Sequence, residues 1–318
     1  VSQLAGRALL GGFLLAAVVL VAPTPAMSVT PADPAVAAVA PPPITTAPEA
    51  APSITPAPEP APVPVPPPAP APPPDYAAAM LEAAQGAVPK GITFGMAVLD
   101  LRTGQLATSG TPQFFSASLS KLMLVVDMLD RDVPLSDSDR RLITRALSVS
   151  DDNAMNALWT KFDGYNAMTR VANSLGMAGT ATTSDRSQWG EVKISPAGYA
   201  RLYQHIMNEM TDDDEAVIVT SLNAATPSAA DGFNQYFGLL GNSLKAFAKQ
   251  GWMYYGSRLY LHSAGVVMNG ADHYVVVLMS AQPASSGTAR ANLSAIALAM
   301  QRGLPPPMST ETQTQGMK

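Results

Sequence analysis

From Leu119 to Leu129 the chain reads Leu-Ser-Lys-Leu-Met-Leu-Val-Val-Asp-Met-Leu, apolar at almost every position and without a polar stripe at helical spacing. A helix that is hydrophobic all round belongs in the middle of a domain, not on its surface. Yet this one carries Lys121 one turn after Ser118, and positions i and i+3 share a helix face. Burying an ammonium is costly, so such a lysine is either paired or pushed toward its neutral form. A neutral amine beside a hydroxyl at a helix N-terminus is a general base beside a nucleophile. The competing reading is that Lys121 only snorkels from the end of a core helix. The elements that follow decide between the two.

Composition divides the 318 residues unevenly. Residues 1–26 read as a secretory leader: Arg7 supplies the positive region, 8–22 the apolar core and Thr24-Pro25-Ala26 the small-residue cleavage site. The alternative is an uncleaved anchor over 4–22, which is marginal as a span. Either way the rest of the chain is expected outside the cytoplasm, in the cell envelope. Most of the 30 prolines fall in 27–74, an Ala/Pro-rich segment that cannot bury a core and is expected to stay extended and disordered. In polyproline II it would reach on the order of 100–150 Å, as a spacer or as a wall-associated arm. The folded domain is expected over 75–303 and a disordered tail over 304–318.

The net charge of −5, with no basic cluster in the folded part, argues against nucleic acid as a partner. The absence of cysteine excludes a disulfide framework, thiol catalysis and a lipobox-type lipid anchor from these residues. His205, His262 and His273 are scattered, which gives no support to a zinc site or a histidine-centred triad. No metal or organic cofactor is implied.

The folded part opens with a helix over 75–87, capped by Asp75, followed by a hairpin of strands over 92–101 and 105–109 turning at Arg102-Thr103-Gly104. The buried helix from Ser118 comes next, then a helix with capping chemistry at Ser136 to Asp139. Ser150-Asp151-Asp152 has the look of another helix start. Helices continue over 158–177, a loop without periodicity spans 180–194, and Ser195-Pro196 begins a helix reaching 210. Three β-like runs over 245–252, 258–268 and 273–279 turn at Tyr255-Gly256 and Asn269-Gly270, and a helix over 285–302 closes the domain. Strands at both ends of a helical block predict an α+β fold: one antiparallel sheet of about five strands, backed by the terminal helices, with an all-helical subdomain.

In this order, Ser118-Leu119-Ser120-Lys121 matches S-x-x-K, Ser150-Asp151-Asp152 matches S-D-N and Lys249-Gln250-Gly251 matches K-T-G. On these residues and this layout, 75–303 resembles the penicillin-recognising serine hydrolases, and within them the class A β-lactamase type. The resemblance implies a three-layer α/β/α fold and a substrate that is a β-lactam or a peptidoglycan stem-peptide-like amide. Ser118 would be the nucleophile, Lys121 its base, Ser150 the proton donor to the leaving nitrogen, and Lys249 the cation holding Ser150 and a substrate carboxylate. The backbone N–H groups of Ser118 and Trp252 would form the oxyanion hole, with Gly251, Gln250 and Asp152 lining the substrate site.

Three departures qualify what the resemblance implies. Asp152 replaces an asparagine, so an amide donor becomes a carboxylate. Gln250 replaces a threonine hydroxyl. The long loop whose glutamate activates the deacylating water is not recognisable; Asp185 and Glu191 are the carboxylates available in its place. Acylation with slow deacylation is therefore the expectation. The alternative is a wall-binding or scaffold protein that keeps the fold and has lost efficient chemistry.

Overall fold

The computed structural model describes residues 74–306, except Pro112. The leader expected over 1–26, the proline-rich segment up to residue 73 and residues 307–318 lie outside the described residues. All the described residues fall within one unit, 69–318.

Asp75 caps α1 (Tyr76–Gln85) by accepting from the Ala78 N–H at 2.9 Å, and Ala77, Met80 and Ala84 form its buried face. The hairpin β1 (Thr93–Asp100) and β2 (Leu106–Gly110) follows, and Asp100 closes its turn by accepting from the N–H groups of Arg102 and Thr103. After a two-residue strand, β3 (Phe114–Phe115), come the helices α2 (Ser120–Asp130), α3 (Asp137–Ser148), α4 (Asp152–Lys161) and α5 (Gly164–Ser174). A second two-residue strand, β4 (Lys193–Ile194), leads into α6 (Pro196–Asn208) and α7 (Asp212–Asn223). The chain returns to strands with β5 (Ala246–Tyr255), β6 (Arg258–Asn269) and β7 (Asp272–Gln282), and closes with α8 (Ser286–Met300).

The five long strands form one antiparallel sheet in the order β2-β1-β7-β6-β5. Its first and last sequence segments meet where β1 pairs with β7, from Thr93 opposite Ala281 to Asp100 opposite Tyr274. Side chains alternate across a strand, and β7 uses both faces. Val275, Val277 and Met279 join the core shared with the helical block, whereas Tyr274, Val276 and Leu278 join the core shared with α1 and α8. A strand buried on both faces reads as a continuous apolar run, as this one does. The three layers are thus α1 and α8, the sheet, and the helical block. The expected α+β architecture with its five-stranded antiparallel sheet is the one observed.

Every residue of α2 from Ser120 to Leu129 is buried. Its one buried carboxylate, Asp127, is taken by Arg170 of α5 through two bonds (Nε 2.7 Å, Nη2 2.8 Å) and by Arg131 at 3.0 Å. The charge on the central helix is thereby paired, and it ties α2 to α5.

Two features depart from the sequence reading. β3 and β4 pair Phe114 with Ile194 and Phe115 with Lys193; β4 ends the stretch expected to be a loop and β3 lies where no element was expected, since two residues per strand are too few for a periodic signal. Beyond α8 the chain continues through a short 3₁₀ turn, and Asn269 donates to the Pro305 carbonyl at 2.9 Å. The first residues of the expected tail are therefore held against the β6–β7 turn.

Candidate active site

Ser118 sits in a 3₁₀ turn, Ala117–Leu119, that runs straight into α2. Ala117 enters that turn with φ of 47°, a left-handed conformation a residue with a Cβ rarely adopts. The preceding residue is pinned from the 180–194 loop: Ser116 N–H donates to the Val192 carbonyl at 2.7 Å and its hydroxyl to that of Trp189 at 3.2 Å. Ser150 occupies the link between α3 and α4, again with positive φ (55°). The next residue, Asp151, is the N-cap of α4, accepting from the Asn153 and Ala154 N–H groups. Burial pushes the Asp151 carboxyl up, but Arg145 and these two N–H groups outweigh that and hold it low. The helix start expected from this stretch and its site role are therefore two uses of one turn.

The two serines and two lysines converge. Lys121 Nζ lies 2.8 Å from Ser118 Oγ, 2.8 Å from the Ser150 carbonyl, 3.2 Å from Ser150 Oγ and 2.6 Å from Asp152 Oδ1. Lys249 Nζ reaches Ser150 Oγ at 2.9 Å and the Gln250 carbonyl at 2.8 Å. Both lysines are fully buried. Burial pushes the Lys121 ammonium below its ordinary value, against the opposing pull of Asp152. Burial likewise pushes Lys249 well down, and the charge of Lys121 adds to that effect. Asp152 is mostly solvent-exposed, 62 % at its side chain, so its hold on Lys121 is weakened by water. Lys121 does not snorkel; it points inward and meets hydroxyls.

Lys249 lies on the sheet's outer strand, β5, and the phenol of Tyr203 is wedged beside it. That hydroxyl accepts from the Lys249 N–H at 3.2 Å and donates to the Ala264 carbonyl at 2.7 Å. Gly251, two residues on, brings the β5 backbone against Ser118. A Cβ there would come within 3.4 Å of Ser118 N and 3.2 Å of the Ser116 carbonyl. Trp252 lines the cleft, with its indole N–H donating to Asp231 at 2.9 Å.

Three of the residues expected at the site stand elsewhere. The Gln250 side chain points away from the cleft and is buried, its amide N–H donating to the carbonyls of Gln235 (3.0 Å) and Phe237 (2.6 Å). It therefore offers nothing to a substrate in the cleft, because its two donors are spent. Asp185 holds the N–H and hydroxyl of Ser187 on the exposed loop, and Glu191 is half-buried in the turn before β4. Neither lines the cleft. The loop brings Trp189, rather than a carboxylate, to the cleft that Ser118 lines.

The cleft itself has a volume of about 730 Å³, and Ser118, Asp152, Asn156, Trp159, Trp189 and Asp231 are among its lining residues. The sequence reading did not single out the last four. Trp189 donates to Asn156 at 2.9 Å and Trp159 to the Arg186 carbonyl at 3.0 Å, which staples the 180–194 loop to α4. The Trp189 ring lies 4.7 Å from Lys121 Nζ. The signal that could have found this wall is rarity: the chain has three tryptophans, and all three border this cleft. Among the described residues no three His, Cys, Asp or Glu side chains are grouped as metal ligands.

Known proteins share this architecture. The crystal structure of TLA-3 extended-spectrum beta-lactamase superposes with a TM-score of 0.59 at 13 % identity, covering 70 % of this chain and 97 % of that one. A class A beta-lactamase from Bacteroides cellulosilyticus gives 0.60 at 13 %, covering 72 % and 98 %. At such identities the likeness is one of fold. By sequence, a Mycobacterium tuberculosis protein named "Putative lipoprotein LppW" is 32 % identical over 223 residues, 67 % of this chain and 71 % of that protein. Its Mycobacterium bovis counterpart matches to the same extent. A family model described as the beta-lactamase enzyme family matches residues 132–302, which include Ser150 and Lys249 and begin after Ser118 and Lys121. With more than half of its length matched by that model, the chain belongs to the beta-lactamase enzyme family.

Proposed function

We propose that this protein is an active-site serine hydrolase that is acylated on Ser118 by a β-lactam or a peptidoglycan-like amide. The observation that carries the proposal is the unbroken run from Ser118 Oγ through Lys121 Nζ to Ser150 Oγ, at 2.8 and 3.2 Å. Neutral Lys121 takes the Ser118 proton as Oγ bonds to the carbonyl carbon. The oxyanion so formed is met by the backbone N–H groups of Ser118 and Trp252, donors of the kind that dominate acyl transfer. Lys121 then returns its proton through Ser150 to the leaving nitrogen as the C–N bond breaks, leaving a serine ester and a free amine. Lys249 holds Ser150 in position for that transfer. The serine ester is released slowly, because Asp185 and Glu191 stand away from the cleft.

The work is done outside the cytoplasm. Supporting this are the leader read over 1–26 and the lipoprotein designation of the mycobacterial relatives. Among the described residues no helix is long and apolar enough to cross a membrane. The second reading, a wall-binding protein with impaired chemistry, draws on Asp152 and on Gln250, whose side chain offers the substrate no hydroxyl. Covalent labelling by a fluorescent penicillin separates the two: label accumulates on the wild-type chain and is lost in Ser118→Ala. A folded wild-type chain that takes no label leaves the binding reading in possession.

A further inference from the structure

The chemistry of the cleft wall is at odds with an anionic substrate. No lysine or arginine is among its lining residues, which include two carboxylates, Asp152 and Asp231. The groups that would hold a carboxylate are used up or hidden. Gln250 donates into the backbone behind it, and Lys249 is fully buried and bound to Ser150 and to a carbonyl. Arg290 lies over the far aromatic Phe233, 5.9 Å from its ring, and does not line the cleft.

Asp152 and Asp231 differ in kind. Asp152 is paired with Lys121. Asp231 is held by two neutral donors, the Phe233 N–H on Oδ1 and the Trp252 indole N–H on Oδ2, each at 2.9 Å. Its position is therefore fixed, and among the described residues no lysine or arginine forms an ion pair with it, although Lys121 and Lys249 lie near enough to feel its charge. Beside it stands the Trp252 ring, stacked on Phe233 at 4.7 Å with an interplanar angle of 9°, and Trp159 and Trp189 border the same space. Indole faces attract cations, and a fixed carboxylate next to them is a receptor for an ammonium group. Ser118, 5 % exposed, also lines this cavity, and among the described residues its Oγ meets no side chain but Lys121. The cation-favouring wall and the nucleophile therefore share one space.

We propose that the acyl donor of this enzyme carries an ammonium group, seated between Asp231 and the tryptophan wall, where a carboxylate would be repelled. This rests on Ser118 being the acylated residue, and it names the charge class of the substrate. Carboxylate-bearing donors such as penicillins still acylate, but slowly.

The test uses the full chain and three thioesters with one acyl skeleton, ending in an ammonium, an amide or a carboxylate, with acyl-enzyme read by intact mass. An uncharged fluorophosphonate serves as an independent probe of the nucleophile. At neutral pH the ammonium thioester is expected to acylate at least about tenfold faster than the carboxylate one. That ratio should collapse toward one in Asp231→Asn, persist in Asp231→Glu and shrink with added salt. Equal or reversed rates in the wild type, or a ratio untouched by Asp231→Asn in a variant with an unaltered melting curve, overturn the proposal while Ser118 remains the nucleophile. A wild-type chain inert to the fluorophosphonate as well as to all three thioesters removes the hydrolase reading itself.

Discussion

Asp152 is the residue that most changes the electrostatics of this centre. Its carboxylate lies 2.6 Å from Lys121 Nζ and favours the charged amine, in opposition to burial. On the proposed mechanism Lys121 acts as base only when neutral, so the acylation rate should rise with pH as it loses its proton. Removing the carboxylate removes a force that raises the Lys121 pKa. Asp152→Asn should therefore move the acid limb of the acylation profile to lower pH, measurable from labelling rates across a pH series. An unshifted limb would show that Asp152 does not govern the base. Single residues also carry the strain here. Ala117 and Ser150 both adopt positive φ, at a cost of about 1–3 kcal/mol each, and each adjoins or bears one of the hydroxyls that meet Lys121. The left-handed backbone at these positions has no local signature, since neither is glycine or asparagine.

Among the secondary elements, β6 carries a group that couples folding to acid. His262 is fully buried, its Nε2 2.8 Å from the Phe115 carbonyl in β3 and its Nδ1 accepting from Ser280 N–H in β7 at 3.3 Å. That pairing suits the neutral ring with its proton on Nε2, and burial pushes its pKa down to about 4. Because the folded value lies below the unfolded one, the stabilisation is present above about pH 6.5 and is lost as pH falls toward 4. The full effect is about 3 kcal/mol. His262→Gln keeps a donor and an acceptor but does not titrate. Chemical denaturation from pH 7 to 4 should show a shallower loss of stability for the variant, and identical slopes would refute the assignment. The elements themselves were largely legible from pattern. The capping box at Ser136 and Asp139, the strand β1 and the buried helix α2 each appear where their residues imply, though β1 is buried on both faces rather than alternately. The β3–β4 ribbon escaped because pairing across about 80 residues leaves no local periodicity. The destination of the Gln250 side chain escaped for a related reason. Its partners, the Gln235 and Phe237 carbonyls, belong to a coil whose path depends on the finished sheet.

For the molecule as a whole, the consequence of the short 180–194 segment is kinetic. It brings aromatic surface rather than a carboxylate to the cleft, so acylation and release should be unequal. With a chromogenic cephalosporin at high concentration, a burst equal to the enzyme concentration should be followed by turnover at least ~100-fold below the roughly 10 s⁻¹ typical of enzymes. Glu191→Gln and Asp185→Asn should leave the slow phase unchanged. Turnover abolished by either change would restore the deacylation role that the resemblance suggested. The convergence of Ser118, Lys121, Ser150 and Lys249 was readable from the sequence because S-x-x-K and its partner motifs are short local patterns. The wall opposite was not, because Trp159, Trp189, Asp231 and Trp252 come from four separate segments that only the tertiary fold gathers. That gathering has a practical side. Since all three indoles of the chain border one cavity, its ultraviolet emission is in effect a built-in occupancy gauge, and unlabelled compounds can be titrated by quenching without any reporter dye.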